Sequence, residues 1–521
     1  MFRSSKESRR TLATVSATAL VASFASISCS DSNEASDGGG GSSGSGSGGT
    51  SGSGGTGGSI VGAGTSGIGK GQSDSALADP CRGTALTSGA YHVAPGLCVR
   101  EVAPNQGEIR QISFTSNGDL IAVTVPGTIL RYRDLDGDGT FSGDDIVRLG
   151  STRGEDDPDV QNGNNAHVDE EGGFLYAGSP EGVIRFAYTS DMDELGLATD
   201  IVVGQSSTGT HPYHTVHVYD GWLYVHSGSE NNAVAPAAPE YDANRAVLKR
   251  FALEDFDGTP FQWADGEVVA RGIRNMVGFT QNAAGRMYGV INGMDDLMYA
   301  GEDVHLDNPG DDLVRIEPGL EHGYPYCFTA AHIQAGSGML EAGTQLVSAT
   351  DPAAPDPDFS NPHDDAWCAE NSSPPATFVV PHSAPLDLTF HDGIAGNLPE
   401  EWRGGAFVAV HGSWDTEPSV GHQVLFIPFD ENGRAPMPTA RPEGTSYPFT
   451  VVFGGGNATE HDDGIWGWSG EDPVRPVGVA VSPVDGALYV SSDNASVAFS
   501  GMQTERQGSI YRIGLDRSAG Y

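Results

Sequence analysis

The stretch Asp485–Ser491, with the sequence DGALYVS, places a tight glycine turn directly before a short run of aliphatic and aromatic residues. Such a run favours a β-strand, because branched and aromatic side chains fit a pleated, half-buried surface. The pattern recurs in five other stretches: NGDLIAV from Asn117, GGFLYAG from Gly172, DGWLYVH from Asp220, AGRMYGV from Ala284 and GGAFVAV from Gly404. Several copies precede a second apolar strand, as in GTILRY, GVIRF and GSIYRI. Six copies of one turn–strand unit predict a radial repeat.

The fold that these repeats predict is all-β, a six-bladed β-propeller over residues 80–521. Short apolar runs broken by Gly, Asp, Asn and Pro dominate this region, which is the pattern of an all-β protein. The repeats are unevenly spaced, so the interval between residues 284 and 404 must hold long insertions. A pair of all-β domains is the alternative. In a propeller, functional residues are expected in the loops that join the blades.

The charge balance excludes one class of partner. Lys and Arg number 27 against 69 Asp and Glu, for a net charge of −42. The lysines are Lys6, Lys70 and Lys249. Such a chain repels polyanions, so no nucleic-acid binding is expected. An acidic composition is also compatible with calcium sites.

The first residues are typical of an export signal. A basic start is followed by the modestly apolar run TLATVSATALVASFA and by SISC, which ends at Cys29. Residues 1–28 are therefore predicted to be a lipoprotein-type signal peptide, with Cys29 lipidated after the cut. Ser26 departs from the usual leucine, and the alternative is an ordinary secretory signal with a chance cysteine. Residues 29–79 are rich in Gly and Ser and predict a disordered tether.

These features predict a protein of the bacterial cell envelope. The lipid anchor would hold it at a membrane, and Ser30 after the cysteine favours the outer membrane, on its periplasmic or surface face. Beyond Cys29, an even set of four cysteines suggests disulfides in an exported protein. Sequence proximity favours two pairs: Cys81 with Cys98, and Cys327 with Cys368.

An oxygen-rich loop, DLDGDGTFSGDD, spans Asp134–Asp145. Its spacing matches the calcium loop of an EF-hand, which needs several hard oxygens around one point. The predicted ligands are the carboxylates of Asp134, Asp136, Asp138 and Asp145 and the carbonyl of Thr140. No helix pair flanks the loop, so the expected role is a structural clip between strands. The alternative is a solvated acidic turn.

Several longer segments resemble one family. They are IRNMVGF from Ile273, NGMDD from Asn292, PHSAPLDLTFHDG from Pro381, RGGAFVAVHGSWDT from Arg403 and RPVGVAVSPVDGALYVSSD from Arg475. Together they resemble the glucose/sorbosone dehydrogenases, a family of quinoprotein β-propellers. The resemblance runs in order over residues 100–515, and the PHSAPL and HGSW motifs are its most specific parts.

The resemblance implies a cofactor, a reaction and a set of site residues. The implied cofactors are pyrroloquinoline quinone (PQQ) and Ca²⁺, and the implied reaction is oxidation of a sugar, with electrons passing on to an external acceptor. Arg274 and Arg475 correspond to arginines that hold the cofactor, and Arg274 is also taken as catalytic. Asn275 corresponds to a cofactor-binding asparagine. Asn292 and Gly293 fall near the segment whose carbonyls hold the cofactor calcium.

The proton acceptor is sought in HPYHTVHVYDGWLYVHSGSENN, His211–Asn232, which holds four histidines. The resemblance places the catalytic histidine just before a strand, where His211 stands, and His214 is the fallback. Imidazole suits this task because its pKa is close to ambient pH. His217 and His226 lie within strands and are expected to be packing or surface groups. A structural role for His211 or a metal site are the alternatives; strand alternation keeps these side chains from converging on a metal.

Some positions depart from the family pattern. Asp415 and Thr416 follow HGSW, and Gln423 follows later, where relatives carry basic residues. Because the cofactor is a tricarboxylate, each missing positive charge weakens its binding. A second function therefore stays open, a non-catalytic surface-anchored propeller that binds a glycan or a protein. A hydrolytic lactonase is a third option that no sequence pattern favours.

Overall fold

A computed structural model describes Cys81, Leu86 and most of residues 91–517. The gaps in that range are 153–163, 207, 234–243, 337, 351–358, 393–395, 414–415, 417–418, 456–458, 461–465, 468–473 and 494–507. The predicted signal peptide, the lipidated Cys29, the Gly/Ser tether and Asp415 lie outside the described residues. In the described part, no helix has the length and apolar character needed to cross a membrane.

The described chain is built mainly from six sheets of four or five strands. The strands of each sheet are named in order from one edge to the other, and the strand named first is called its first strand. The sheets are numbered in chain order of these first strands. Sheet 1 contains Ile109–Phe114, Leu120–Thr124, Thr128–Tyr132 and Ile146–Ser151. Sheet 2 contains Ala166–Asp169, Phe174–Ser179, Gly182–Ala187, Thr199–Val203 and, in parallel, Phe261–Gln262. Sheet 3 contains Val216–Tyr219, Trp222–Ser227, Val247–Ala252, Glu267–Arg271 and, in parallel, Leu320–Glu321.

The remaining three sheets follow the same antiparallel order. Sheet 4 contains Gly278–Gln281, Met287–Ile291, Asp311–Ile316 and Thr377–Val379. Sheet 5 contains Pro385–Phe390, Ala406–Val410, Gln423–Ile427, Thr450–Gly455 and Tyr91–Val93. Sheet 6 contains Pro476–Val481, Leu488–Ser492, Ser509–Leu515 and Leu97–Ala103. The all-β prediction is confirmed.

Each of the six repeated turn–strand stretches leads into the second strand of one sheet. The glycine of each turn has a positive φ, a backbone conformation that residues with a side chain rarely adopt. The six angles lie between 67° and 90°: Gly118, Gly173, Gly221, Gly285, Gly404 and Gly486. The recurrence of glycine in the repeat is thus a requirement of the turn.

The first strands of the six sheets follow one another around a ring. Each contacts the first strand of a neighbouring sheet, and sheets 3 and 4 are joined by a hydrogen bond between the hydroxyls of Tyr219 and Thr280, 3.3 Å apart. The ring closes because Leu97–Ala103, from the start of the described chain, pairs with Ser509–Leu515 from its end. The described sheets therefore form one continuous unit.

Apolar packing between neighbouring sheets stabilises this arrangement. Six buried clusters each bring together side chains of two adjacent sheets, as Ile121 of sheet 1 packs with Leu175 of sheet 2. Most of the apolar side chains of the strands are buried in these clusters, where they are removed from water. Polar bonds cross the centre instead: Gln111 Nε2 donates to the carbonyls of Val277 and Leu386, at 3.0 and 2.9 Å.

The long interval between residues 284 and 404 holds insertions, as predicted. Their described residues contain one α-helix, Asp365–Asn371, whose N-terminus is capped by Asp364. Five small groups of strands are described here and near residues 439–467. The short strands are Leu297–Tyr299, Glu302–Asp303, Ala349–Thr350, Cys327–Thr329, Gln345–Val347, Gln334–Ala335, Gly338–Met339, Thr439–Arg441, Gly444–Ser446, Thr459–Glu460 and Trp466–Gly467. The 3₁₀ turns are Gly143–Asp145, Leu253–Asp255, Trp263–Asp265, His305–Asp307 and Glu400–Trp402.

Both predicted disulfides are present. Cys327 and Cys368 have Cα atoms 5.6 Å apart, and their bond ties the helix to the insertion. Cys81 and Cys98 have Cα atoms 5.7 Å apart, and their bond fastens the start of the described chain to sheet 6.

A buried carboxyl in the centre gives the fold a pH dependence. Asp387 accepts a hydrogen bond from the backbone N–H of Val479 at 3.0 Å, and burial raises the pKa of Asp387 from 3.8 to about 8. Between these two pH values the folded chain holds a proton that the unfolded chain releases, so this residue's contribution to stability is lost as pH rises. The slope is at most about 1.4 kcal/mol per pH unit.

We expect Asp387→Asn to flatten the fall in the free energy of unfolding between pH 5 and pH 8, because the amide cannot release that proton. Urea unfolding at pH 5, 6.5 and 8 measures the slope. Asp257→Asn, in an exposed turn, is the control and should keep the wild-type slope. An unchanged slope in Asp387→Asn would show that this carboxyl is already ionised in the folded protein.

Candidate functional site

A cavity of about 530 Å³ lies where the ends of the first strands meet the loops that join them. Five of the six sheets contribute to it, mostly through residues just before a first strand or just after a second strand. Its lining consists of Arg110, Thr210, His211, Tyr213, Arg274, Asn275, Val277, Asn292, Gly293, Asp295, Asp311, His382, Ala384, Leu386, His411, Gly412 and Arg475. The fold thus gathers distant segments into one concave surface of the size of a small-molecule site.

All predicted cofactor and catalytic positions lie in this lining: His211, Arg274, Asn275, Asn292, Gly293 and Arg475. They are far apart in sequence, and the closure of the ring brings them together. Their roles remain predictions. Thr416 and Gln423 stand where relatives carry basic residues, but neither lines the cavity. The absence of a basic side chain at these two positions therefore does not remove positive charge from the cavity wall directly.

Arg274 is held by several groups at the cavity wall. Its guanidinium donates to the carbonyl of Asn232 at 3.1 Å, to Asn232 Oδ1 at 3.0 Å and to Asp295 Oδ2 at 2.9 Å. It also donates to the carbonyl of Asn292 at 3.4 Å. The side chain is buried, so its orientation is fixed before any ligand binds. A planar guanidinium held in this way can recognise a carboxylate or quinone oxygen.

His211 presents one ring nitrogen that is suited to accept a proton. Its Nδ1 lies 2.8 Å from Ser229 Oγ, and the Ser229 hydroxyl donates to the carbonyl of Asn231. Ser229 Oγ must therefore accept, so Nδ1 carries the hydrogen and Nε2 keeps its lone pair. Burial and the Arg274 guanidinium hold the pKa of His211 well below its usual value. The imidazole is neutral at pH 7, as a proton acceptor must be.

The other three histidines of the stretch face away from the cavity. His214 places Nδ1 2.9 Å from the carbonyl of Ser179 and Nε2 3.1 Å from that of Ser206, so both nitrogens are occupied. His217 packs edge-on against Phe279, with ring centroids 4.7 Å apart. His226 is buried beside the carbonyl of Ile273. The packing roles expected for His217 and His226 agree with this geometry, and the fallback His214 is occupied by backbone groups.

Arg475 belongs to a buried network on the opposite wall. It donates to His411 Nδ1 at 2.9 Å, and His411 Nε2 donates to Asp493 Oδ2 at 3.0 Å. Arg110 lies 3.9 Å from the same carboxylate. Burial and Arg475 lower the pKa of His411 to about 4. Burial alone would raise the pKa of Asp493, but His411 and Arg110 hold it below its usual range.

Sequence reasoning missed several residues of this surface. His411 lies in HGSW and His382 in PHSAPL, two motifs that served only to mark the family. Asp295 lies in NGMDD, and its carboxylate is 3.8 Å from His382 Nδ1 as well as bonded to Arg274. Asp311 accepts hydrogen bonds from the backbone N–H groups of Gly293 and Ala384, both at 2.9 Å. For His411, His382 and Asp295 the signal was present, because each is a polar residue inside a motif already recognised.

The acidic loop brings together three of its four predicted carboxylate ligands. The carboxylates of Asp134, Asp136 and Asp138 lie within 4.8 Å of one another, and Asp134 is buried. Asp145 lies outside that group and accepts hydrogen bonds from the N–H of Leu135 at 2.9 Å and of Ser142 at 3.0 Å. Thr140 bonds to Asp138 through its N–H at 2.7 Å. The loop is separate from the cavity.

Comparison with known proteins gives one family match. The model of the family described as TrAA12-like matches residues 91–499. A pyrroloquinoline quinone-dependent pyranose dehydrogenase of Coprinopsis cinerea is 26% identical over 437 residues, 80% of this chain and 55% of that protein. A pyrroloquinoline quinone-dependent sugar dehydrogenase of Hypocrea jecorina is 26% identical over 416 residues, 77% of this chain and 86% of that protein. The chain thus spans about half of the first relative.

Solved structures share the fold. The holo form of the pyranose dehydrogenase PQQ domain of Coprinopsis cinerea superposes with a TM-score of 0.64 and 23% identity, covering 81% of this chain and 97% of the other. A calcium structure of the Trichoderma reesei carbohydrate-active enzyme of family AA12 gives a TM-score of 0.63 and 22% identity, covering 83% and 98%. The resemblance to quinoprotein sugar dehydrogenases, drawn from the sequence motifs, is confirmed.

Proposed function

This chain belongs to the TrAA12-like family, and on that premise we propose that it oxidises an aldose, or a related aldehyde or alcohol, by hydride transfer to PQQ. The observation that carries the proposal is the cavity, which places His211 on one surface with three arginines, Arg110, Arg274 and Arg475. When bound, PQQ would supply a two-electron acceptor that no side chain provides.

The residues present fit this cofactor. PQQ carries three carboxylates, and the three arginines are each at most 6% exposed, so their charges act in a poorly solvated wall. Asn275 and Asn292 add neutral polar groups beside them. Asp295 and Asp493 pair with Arg274 and with Arg110, which keeps the guanidinium groups in place but offsets part of their charge.

The side chains divide the chemical work. His211, neutral and fixed by Ser229, takes the proton of the substrate hydroxyl at Nε2 as hydride leaves the carbon that bears this hydroxyl. Arg274 stabilises negative charge at its part of the cavity wall. Arg475, which is oriented by its hydrogen bond to His411, binds an anionic group at another part of the wall. The ring of sheets supplies the rigid support that such positioning requires.

The wider setting of the enzyme is part of the same proposal. The six sheets serve as the six blades of a propeller around the cavity. The chain is exported, anchored by a lipid at Cys29 and tethered by residues 29–79, and it passes electrons to an external acceptor. The sequence features of the first 79 residues support this setting.

Dye-coupled turnover tests the activity. Full-length protein loaded with PQQ and Ca²⁺ is mixed with a panel of aldoses and an artificial electron acceptor, and dye reduction is followed. We expect sugar-dependent dye reduction that requires added PQQ. Bound PQQ with no reduction by any sugar would contradict the enzyme and favour the non-catalytic binding alternative.

The acidic loop is proposed to hold a structural calcium ion. Three close carboxylates offer several hard oxygens to one cation, and burial raises the pKa of Asp134, so a cation would favour its ionised form. We expect Ca²⁺ at about 100 times its Kd to raise the free energy of unfolding by about 2.7 kcal/mol. In Asp134→Asn this gain should shrink to less than half.

Thermal unfolding with Ca²⁺ and with a chelator measures the effect. Asp430→Asn, which alters an exposed turn elsewhere, is the matched control and should respond to Ca²⁺ like the wild type. If the wild-type Tm is the same with Ca²⁺ and with chelator, the loop is a solvated acidic turn.

A further inference from the structure

A second, smaller cavity lies behind the wall of the first. Its volume is about 30 Å³, and it shares Arg274, Asn292 and Gly293 with the main cavity. Its other side includes Asp312, in the third strand of sheet 4, and His322, which directly follows the strand Leu320–Glu321 of sheet 3. We call it the inner chamber. None of the mechanism described above uses it.

The inner chamber is lined by residues with buried polar atoms that have no hydrogen-bond partner among the described residues. These atoms are Asn292 Oδ1, Asp312 Oδ1 and both ring nitrogens of His322. The other carboxyl oxygen of Asp312 is occupied, since it accepts from the Thr329 hydroxyl at 2.7 Å. Buried polar atoms are nearly always hydrogen-bonded, so several such residues around one chamber indicate a ligand that bonds to them all.

The chemistry of the chamber favours water over a cation. Burial raises the pKa of Asp312 to about 8 and lowers the pKa of His322 to about 4, so both groups are neutral at pH 7. Arg274 contributes a fixed positive charge to the same lining. A cation would be repelled by this guanidinium, whose charge Asp295 offsets only in part. Water can donate to Asn292 Oδ1 and both donate to and accept from neutral groups, and 30 Å³ accommodates one or two molecules.

We propose that the inner chamber is a hydration site in which one or two ordered water molecules join His322 and Asp312 to the Asn292 side chain. Asn292 is also the residue whose carbonyl accepts from Arg274, at 3.4 Å, and whose N–H donates to the carbonyl of Asn275, at 3.0 Å. The waters therefore fix the segment from Asn292 to Asp295. This segment carries three lining residues of the main cavity, Asn292, Gly293 and Asp295. His322 and Asp312 are positioning residues for that wall.

A high-resolution crystal structure of the calcium-loaded protein tests the site itself. We expect a water within about 2.6–3.2 Å of Asn292 Oδ1, Asp312 Oδ1 and one His322 nitrogen. His322→Phe should lose it, and His322→Gln, whose amide both donates and accepts, should keep it. Asp312→Leu is a second variant that should empty the chamber. A dry wild-type chamber, or a cation bonded at about 2.3–2.6 Å, would overturn the proposal.

A PQQ titration tests the consequence, which rests on the proposed function. We expect His322→Phe to raise the Kd for PQQ about tenfold or more, because loss of a residue that orients a binding group commonly has an effect of this size. The Kd of His322→Gln should stay near the wild-type value. Asp387→Asn removes a carboxyl that is equally buried but bonded to the backbone, and should leave the Kd unchanged. Wild-type affinity in His322→Phe would overturn the positioning role. If the wild type binds no PQQ, the proposed function fails and the crystal structure alone decides the hydration site.

Discussion

His211→Ala is expected to lower the turnover number for sugar oxidation by about 10²- to 10⁴-fold, while the Kd for PQQ stays within a few-fold of wild type. The reason is the ring geometry: Ser229 fixes the hydrogen on Nδ1, so Nε2 is the nitrogen that can take the substrate proton. Alanine removes that nitrogen but none of the arginines. Single-turnover reduction of bound PQQ by an aldose, followed by absorbance, measures the loss directly.

The matched control for this variant is His217→Phe. His217 is buried against Phe279 and lies outside the cavity lining, so a ring of similar shape should preserve turnover. If the turnover number falls no further in His211→Ala than in His217→Phe, His211 is not the proton acceptor. Another residue of the cavity wall would then have this role.

Arg274→Met is expected to raise the Kd for PQQ by about 10- to 100-fold, because a hydrogen bond to a charged group is worth about 1.5–3 kcal/mol. Methionine retains a similar length and apolar stem but cannot donate. The substitution also leaves Asp295 without its guanidinium partner, so a negative charge faces the anionic cofactor. Titration of PQQ into calcium-loaded protein, followed by quinone absorbance, gives the Kd.

Arg185→Met provides the control for charge and folding. Arg185 lies over the ring of Phe174, 3.9 Å from its centroid, in sheet 2, which adds no residue to the cavity lining. Its replacement changes the net charge by the same amount and should leave the Kd unaltered. Equal affinities in Arg274→Met and the wild type would mean that the cofactor does not contact this wall.

The repeat in the sequence predicted the fold because each copy contains a position that the backbone restricts. A positive φ at the turn glycine and an apolar second strand are local requirements, so they recur in every sheet and can be seen in a single sequence. The pairing of Tyr91–Val93 with Thr450–Gly455 could not be predicted in this way, because it depends on how the chain ends meet around the ring.

The cavity was predictable only in part, for a similar reason. Arg274 and Arg475 stand in motifs that the resemblance marks as cofactor-binding. Asp493 ends the motif that begins at Arg475, but the motif alone does not show that it orients Arg475 through His411. Residues that orient a binding group become visible only when the tertiary structure shows what they bond to. Asp145 stays a prediction: its spacing matches, and its carboxylate accepts from backbone N–H groups of its own turn, as that of Asp134 also does.

The most direct test of the whole account is calorimetric titration of PQQ into the calcium-loaded, full-length protein. We expect saturable binding of one PQQ per chain, weakened in Arg274→Met and in Arg475→Met and largely preserved in His211→Ala. Absence of saturable binding at millimolar PQQ, with the protein folded and calcium present, would contradict it and leave the cavity as the site of some other ligand.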